Sequence, residues 1–290
     1  MIRDNIADQL VYSTVKLTCY NSKEKSDATA FFMIHEYDDK NIVALVTNKH
    51  AVTSDEEYKC FFDKAEIVLT KSDKNGTPLD KEHITIHIDK LEKRCIFHPD
   101  ASVDLCFVFI NDLISDVGRS GNIPYYRCIG TDFSITEEVI QTLTPIEDIV
   151  MVGYPIGLID EKNNKPVIRK GITATDIRLD YNGEREFVID AACFHGSSGS
   201  PIFLRKMRLE KEKTENGVSI GMQPAYAFLG ILYAGPVETV EGEIKIEVIP
   251  TSKNIYSESQ HTINLGYVIK ANVITELFNI VKESQENSVV

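Results

Sequence analysis

Short apolar runs rich in β-branched and aromatic residues recur along the chain, separated by clusters of turn-forming residues. A first series comprises AFFMI (30–34), NIVALVTN (41–48), AEIVLT (65–70), ITIHI (84–88) and DLCFVFI (104–110). A second comprises DIVMVGYP (148–155), PVIRKGIT (166–173), REFVID (185–190), SPIFL (200–204), AYAFLGILYAG (225–235) and LGYVI (265–269). Such runs are too short for helices and predict strands, in two sets divided around residues 112–135. All-β units with short strands at this spacing close on themselves to hide their edges, so the pattern predicts two successive β-barrels or sandwiches. We place them at residues 1–120 and 121–290.

Helical periodicity is confined to the ends. NVITELFNIVKES (272–284) sets Val273, Ile274, Leu277, Phe278, Ile280 and Val281 on one broad face, with Asn272 as N-cap. The first ten residues predict a short turn of helix before the strand TVKLTCY. The charged stretches 71–82 and 208–217 read as solvated hairpin loops turned by Asn75-Gly76 and Asn216-Gly217.

With 290 residues and 43% of them hydrophobic, the chain has enough apolar material for one large core or two small ones. A net charge of −13 with scattered basic residues argues against nucleic-acid and anionic-membrane partners. No apolar run has the length of a signal peptide or a membrane span, so the expected location is the cytoplasm. The six cysteines lie far apart, without C-x-x-C or zinc-finger spacing, and read as reduced, mostly buried thiols. Nothing in this pattern calls for a metal or another cofactor. His83 and His87 share one strand face, but no third ligand lies nearby in sequence.

One interruption does not fit a linker. In FVIDAACFHGSSGSPIFLRK (187–206) the small residues Gly196-Ser197-Ser198-Gly199-Ser200 separate two strands. A tight turn there can aim backbone N–H groups and a hydroxyl at one point, which demands a base and an acid elsewhere. In LVTNKHAVTS, His50 follows a strand where the chain leaves its sheet. In HPDASVDLCFVFI, Asp104 begins a strongly apolar strand, where a carboxylate is costly to bury without a donor. Asp100 and His98 form a weaker rival pair in a turn before that strand.

The segments TNKHAV, VDLCFV and HGSSGSP together resemble the His, Asp and Ser segments of the trypsin/chymotrypsin-like serine peptidases. VMVGYPIGL (150–158), GILYAG (230–235) and LGYVIKANVI (265–274) are similar to second-barrel segments of their bacterial, high-temperature-requirement branch. The order His50, Asp104, Ser198 is that of chymotrypsin, unlike α/β-hydrolases and subtilisins. The resemblance implies two six-stranded antiparallel β-barrels with a C-terminal helix, the first carrying His50 and Asp104, the second Ser198. It implies Ser198 as nucleophile, His50 as base and Asp104 as its orienter, with the Gly196 and Ser198 N–H groups as the oxyanion hole. Protein or peptide would be the substrate, added to a strand edge at Tyr233, Ala234 and Gly235.

By the same layout the specificity pocket is lined by Ala192, Cys193, Tyr233 to Gly235, Gly266, Tyr267 and Val268, with His195 as a cleft wall. None of these is acidic, so a small or medium apolar residue is expected before the cut. The exceptions would be Glu238, Glu241 or Glu243 entering from segment 236–262. Ser197 stands where zymogen-type relatives carry an aspartate, which argues against activation by N-terminal cleavage. The chain ends soon after its last helix, so no appended peptide-binding module is expected, and any control falls to loops or a regulatory partner. The competing expectation is a catalytically silent module that binds extended peptides on the same scaffold.

Overall fold

The computed structural model describes residues 5–214, 217–243, 256–262 and 264–287. A first sheet contains β1 (Thr14–Tyr20), β2 (Lys25–Tyr37), β3 (Lys40–Thr47), β4 (Lys64–Ser72), β5 (Pro78–Asp89), β6 (Cys95–Phe97) and β7 (Cys106–Val108). They run in the order β5-β4-β1-β2-β3-β7-β6, with the two-residue strands β8 (Pro124–Tyr125) and β9 (Ile129–Gly130) added on β4 and β2. The second unit is a closed barrel of β10 (Asp148–Gly153), β11 (Val167–Thr173), β12 (Glu186–Asp190), β17 (Leu265–Lys270), β14 (Gly217–Ala234) and β13 (Pro201–Thr214). β15 (Val237–Glu243) and β16 (Tyr256–Thr262) form a separate two-stranded ribbon.

The six strands expected of the second barrel are present. The first unit differs from its expected six: it has a seven-strand path with two short additions, and β9 lies parallel to β2. β6, β8 and β9 are only two or three residues long, too short for alternation to register in sequence. Because β8 and β9 return to the first sheet, that sheet extends to Gly130.

Burial explains why several strands read as unbroken apolar runs. In β2, residues 28–33 are all buried: Ala28, Ala30 and Phe32 face the core of the first unit, while Phe31 and Met33 face the seam between units. β3 repeats this division, with Leu45 turned to the first core and Ala44 and Val46 to the seam. Across the seam stand Val150, Val152, Phe203 and Phe228. The second barrel keeps its own core of Met151, Phe187, Ile189, Cys193, Ile202, Leu232 and Val268.

Helix α1 (Ile6–Ser13) precedes β1, capped by the Asn5 side chain, which accepts from Asp8 N. The four-residue helices α2 (Leu91–Arg94) and α4 (Glu137–Ile140) sit in connections. α3 (Asn111–Arg119) lies in the expected division and packs Leu113, Ile114 and Val117 on the first core. The final helix α5 (Ala271–Asn287) covers the seam through Val273, Ile274, Leu277, Phe278 and Val281. The Phe278 ring lies 4.3 Å from that of Phe107. The helix begins at Ala271, so Asn272 belongs to its first turn and is not the cap. Among the described residues no helix is long and apolar enough to cross a membrane.

The stretch 208–217 departs from its reading as a loop. β13 and β14 continue past the barrel as a paired ribbon, in register out to Thr214 and Gly217. Residues 206–208 and 221–224 are exposed, so neither face of that ribbon needs an apolar pattern and the sequence gives no strand signal. Asn216 lies outside the described residues. At the other predicted hairpin, Gly76 supplies a positive φ of 78° between β4 and β5.

Candidate active site

His50 sits in the single 3₁₀ turn Lys49–Ala51 that ends β3. Asp104 lies two residues before β7, the neighbour of β3, so the sheet brings the two together. The Asp104 carboxylate is 6% exposed, and donors account for its burial. Oδ1 accepts from the N–H of Lys49 at 2.6 Å and of His50 at 3.2 Å. Oδ2 faces His50 Nδ1 in a short hydrogen bond. Asn48 Nδ2 donates to the Asp104 carbonyl at 2.8 Å, locking the two segments further. The imidazole is thereby fixed at Nδ1, while the His50 side chain remains 40% exposed. Lys49, buried nearby, has its pKa lowered by burial despite the opposing pull of Asp104 and Asp100.

The turn at 196–200 has the geometry its small residues demand. Gly196 and Gly199 adopt φ of 80° and 85°. A Cβ on Gly196 would lie 2.7 Å from the Tyr154 carbonyl oxygen. Among the described residues neither the Gly196 nor the Ser198 N–H has an acceptor, which leaves both available to an incoming oxygen. Ser198 Oγ donates to the Tyr233 carbonyl at 3.4 Å, and no hydrogen bond joins it to His50.

His50 and Ser198 line one cleft of about 330 Å³, together with Lys25, Asp27, Ile156, His195 and Gly196. The His195 carbonyl accepts from Ile156 N at 2.6 Å, fixing that wall.

On the other side of Ser198, the proposed pocket residues converge in part. Cys193 Sγ lies against Gly266, where a Cβ would be 2.7 Å from the sulfur and 2.6 Å from Leu232 Cδ1. Gly235 borders the same residue, where a Cβ would be 3.9 Å from Cys193 Cβ. Burial pushes the Cys193 pKa up to about 11, which keeps it a neutral thiol. Tyr233 and Tyr267 have ring centroids 6.2 Å apart, and the Tyr233 hydroxyl donates to Glu186 Oε2 at 2.5 Å. Ala192 is half-buried, and its carbonyl accepts from Arg169 Nη1. Ala234 pairs with Tyr267, opposite the edge expected to receive peptide. Val268 is fully buried in the core of the second barrel. The side chains of Glu238, Glu241 and Glu243 lie outside the described residues.

The rival pair stands apart from this cleft. His98 is buried, accepts from Asp100 N at Nδ1, and turns Nε2 toward Glu276 of α5. His83 donates Nε2–H to the Asp80 carbonyl, and His87 pairs with Glu66 on an exposed strand face. Among the described residues no group of three His, Cys, Asp or Glu side chains is placed to hold a metal.

Three contributors escaped the sequence reading. Thr29 joins the units: its N–H donates to the Ser198 carbonyl at 2.8 Å and its hydroxyl to the Gly196 carbonyl at 2.9 Å. Thr47, three residues before His50, donates to the Thr29 carbonyl at 2.9 Å. Arg169 holds the same turn from inside the barrel. A threonine within an apolar strand carries no sequence signal. Nor does Arg169, because the apolar Ile168 and Ile172 stand on the opposite, exposed parity of β11.

No protein-family model matches the chain, and no curated protein matches its sequence. Among solved structures it is similar to a serine endoprotease from Yersinia pestis at 14% identity and TM-score 0.46, covering 94% of this chain and 64% of that one. It is similar to the thermostable serine protease AL20 from an extremophilic microorganism at 12% identity and TM-score 0.48, covering 95% and 98%. The MamO protease domain from Magnetospirillum magneticum follows at 11% identity and TM-score 0.46, covering 93% and 98%. The first two are serine proteases and the third is a protease domain. The chain itself consists of a largely antiparallel first sheet, a closed six-stranded antiparallel barrel and a C-terminal helix.

Proposed function

We propose that the chain is a serine endopeptidase, similar in kind to the high-temperature-requirement peptidases, working through Ser198, His50 and Asp104. The observation that carries this is the buried Asp104 orienting His50 at the rim of a cleft whose other wall presents Ser198 on a turn with two free N–H groups. Ser198 Oγ attacks the scissile carbonyl and gives its proton to His50 Nε2, which returns it to the leaving amine. The Gly196 and Ser198 N–H groups receive the oxyanion.

One observation favours the second reading, a silent peptide-binding module: Ser198 Oγ is engaged with Tyr233 and not with His50. Catalytic hydrogen bonds often tighten only when substrate is bound, so the active reading stands ahead. A fluorophosphonate probe decides between them. It should add once, at Ser198, and not at all to Ser198→Ala; a folded wild-type protein that takes no label would establish the silent module.

We further propose a small or medium apolar residue before the cut, such as Ala, Val, Leu or Met. Cys193 Sγ and Leu232 crowd Gly266, and among the described residues the carboxylate beside the pocket, Glu186, is already engaged by the Tyr233 hydroxyl, so a buried Lys or Arg would lack a free counter-charge. Preference within the apolar set should be modest, since one methylene is worth only about 1–3 kcal/mol. A peptide-library digest measures this, and dominant cleavage after a charged residue would overturn the apolar pocket.

A further inference from the structure

Along β11, Val167, Arg169, Gly171 and Thr173 take the less exposed parity, so Arg169 points its guanidinium into the barrel. Among the described residues no carboxylate pairs with it, its Nε is buried without a partner, and burial lowers its pKa. A buried cation so poorly compensated is expensive, and its remaining contacts all serve one place. Nη1 donates to the Ala192 carbonyl, Nη2 donates to Ser197 Oγ at 2.9 Å, and Met151 Sδ lies 3.6 Å from Nη2.

From these contacts we infer that Arg169 is an internal latch: a positioning residue that holds the 192–198 turn so that the Gly196 and Ser198 N–H groups stay aimed at the cleft. The inference rests on the peptidase reading of that turn. Ser197 lies between the two N–H donors, and its hydroxyl also accepts from Phe194 N at 3.3 Å. Fixing that hydroxyl fixes the peptide planes on either side of it. Ala192 is the point where the chain enters the turn, so one rigid fork ties both its entry and its centre. The far side is held separately, by Thr29 on the Ser198 carbonyl and by Gly199 N donating to Leu232. Without the guanidinium, the Ala192 carbonyl and the Ser197 hydroxyl lose their anchor in the barrel. Among the described residues the turn is then held from outside only at the His195 and Gly196 carbonyls, by Ile156 N and the Thr29 hydroxyl, which leaves the peptide planes around Ser197 less constrained.

Arg169→Met, which keeps the stem and removes the fork, tests this. Hydrogen exchange should speed up at the amides of Ser197 and Ser200 by about tenfold or more, with the β10–β13 ladder unchanged. In the active enzyme kcat should fall by about 10²-fold or more with KM nearly constant, as for loss of an oxyanion donor. Arg169→Lys, with one donor instead of a fork, should recover part of the loss. Ser197→Ala removes one anchor without burying anything new and should show the same exchange change in smaller degree, which serves if Arg169→Met does not fold. Unchanged exchange in the turn of a folded variant overturns the latch. Faster exchange in a protein whose wild type takes no probe would leave the latch standing and remove only the peptidase reading.

Discussion

Asp104→Asn should lower kcat by about 10⁴-fold while the protein stays folded, because the substitution reverses the tautomer of His50. Oδ1 of Asp104 accepts from two backbone N–H groups, at Lys49 and His50. In the asparagine variant only the amide oxygen can occupy that position, so the NH₂ group must face His50 Nδ1. Nδ1 then accepts, the proton moves to Nε2, and the nitrogen turned to the cleft presents a proton where Ser198 needs a lone pair. Packing around the site is nearly isosteric, and the two backbone bonds survive, so thermal unfolding should change little. Steady-state kinetics and probe labelling should fall together. A loss smaller than about tenfold would mean that Asp104 does not orient the base.

How much of this was legible in the sequence depends on which force sets each element. Strands buried on one or both faces, such as β2, β3 and β10, announced themselves, since burial demands apolar residues in a fixed pattern. The ribbon beyond the barrel in β13 and β14 did not, because its described residues 206–208 and 221–224 are exposed and bury no apolar face that would impose a pattern. β6, β8 and β9 are only two or three residues long, too short to show a repeated alternation. α3 was missed because Asp112, Ser115, Asp116 and Gly118 dilute a nine-residue helix whose apolar stripe is only Leu113, Ile114 and Val117.

For the site, the same distinction separates His50 and Asp104 from Thr29 and Arg169. A carboxylate opening an apolar strand is an anomaly that asks for a partner, and the structure supplies His50. Thr29 satisfies four hydrogen-bonding groups across the seam and the Thr47 hydroxyl within its own unit, yet threonine is common in strands and raises no question. Arg169 raised no question in PVIRKGIT, because the apolar Ile168 and Ile172 stand on the opposite, exposed parity of β11, and only the fold turns the arginine inward. The glycines of the turn were legible as glycines, but what each one spares is visible only in the fold.

Gly199→Ala should cost roughly 3–6 kcal/mol of stability, far more than its backbone conformation alone explains. An alanine at φ of 85° is strained, but Gly76 at φ of 78° presents the same strain with nothing within 4 Å of an added Cβ. Gly76→Ala should therefore cost only about 1–2 kcal/mol. At Gly199 the Cβ would stand 1.8 Å from the Thr29 carbonyl oxygen and 2.9 Å from Thr47 Oγ1. Neither can swing aside: the carbonyl belongs to β2, and the hydroxyl is itself bonded to that carbonyl. Relief requires the turn to leave β2, which breaks the bonds from Thr29 to the Ser198 and Gly196 carbonyls. Those bonds also set the height of the oxyanion N–H groups against His50, so kcat should fall in whatever fraction remains folded. Thermal unfolding of the two variants side by side isolates the close approach from the strain, with an expected difference on the order of 5–15 °C. Equal melting temperatures would show that the turn is not clamped to β2, and the account of how the two units are held in register across the cleft would fall with it.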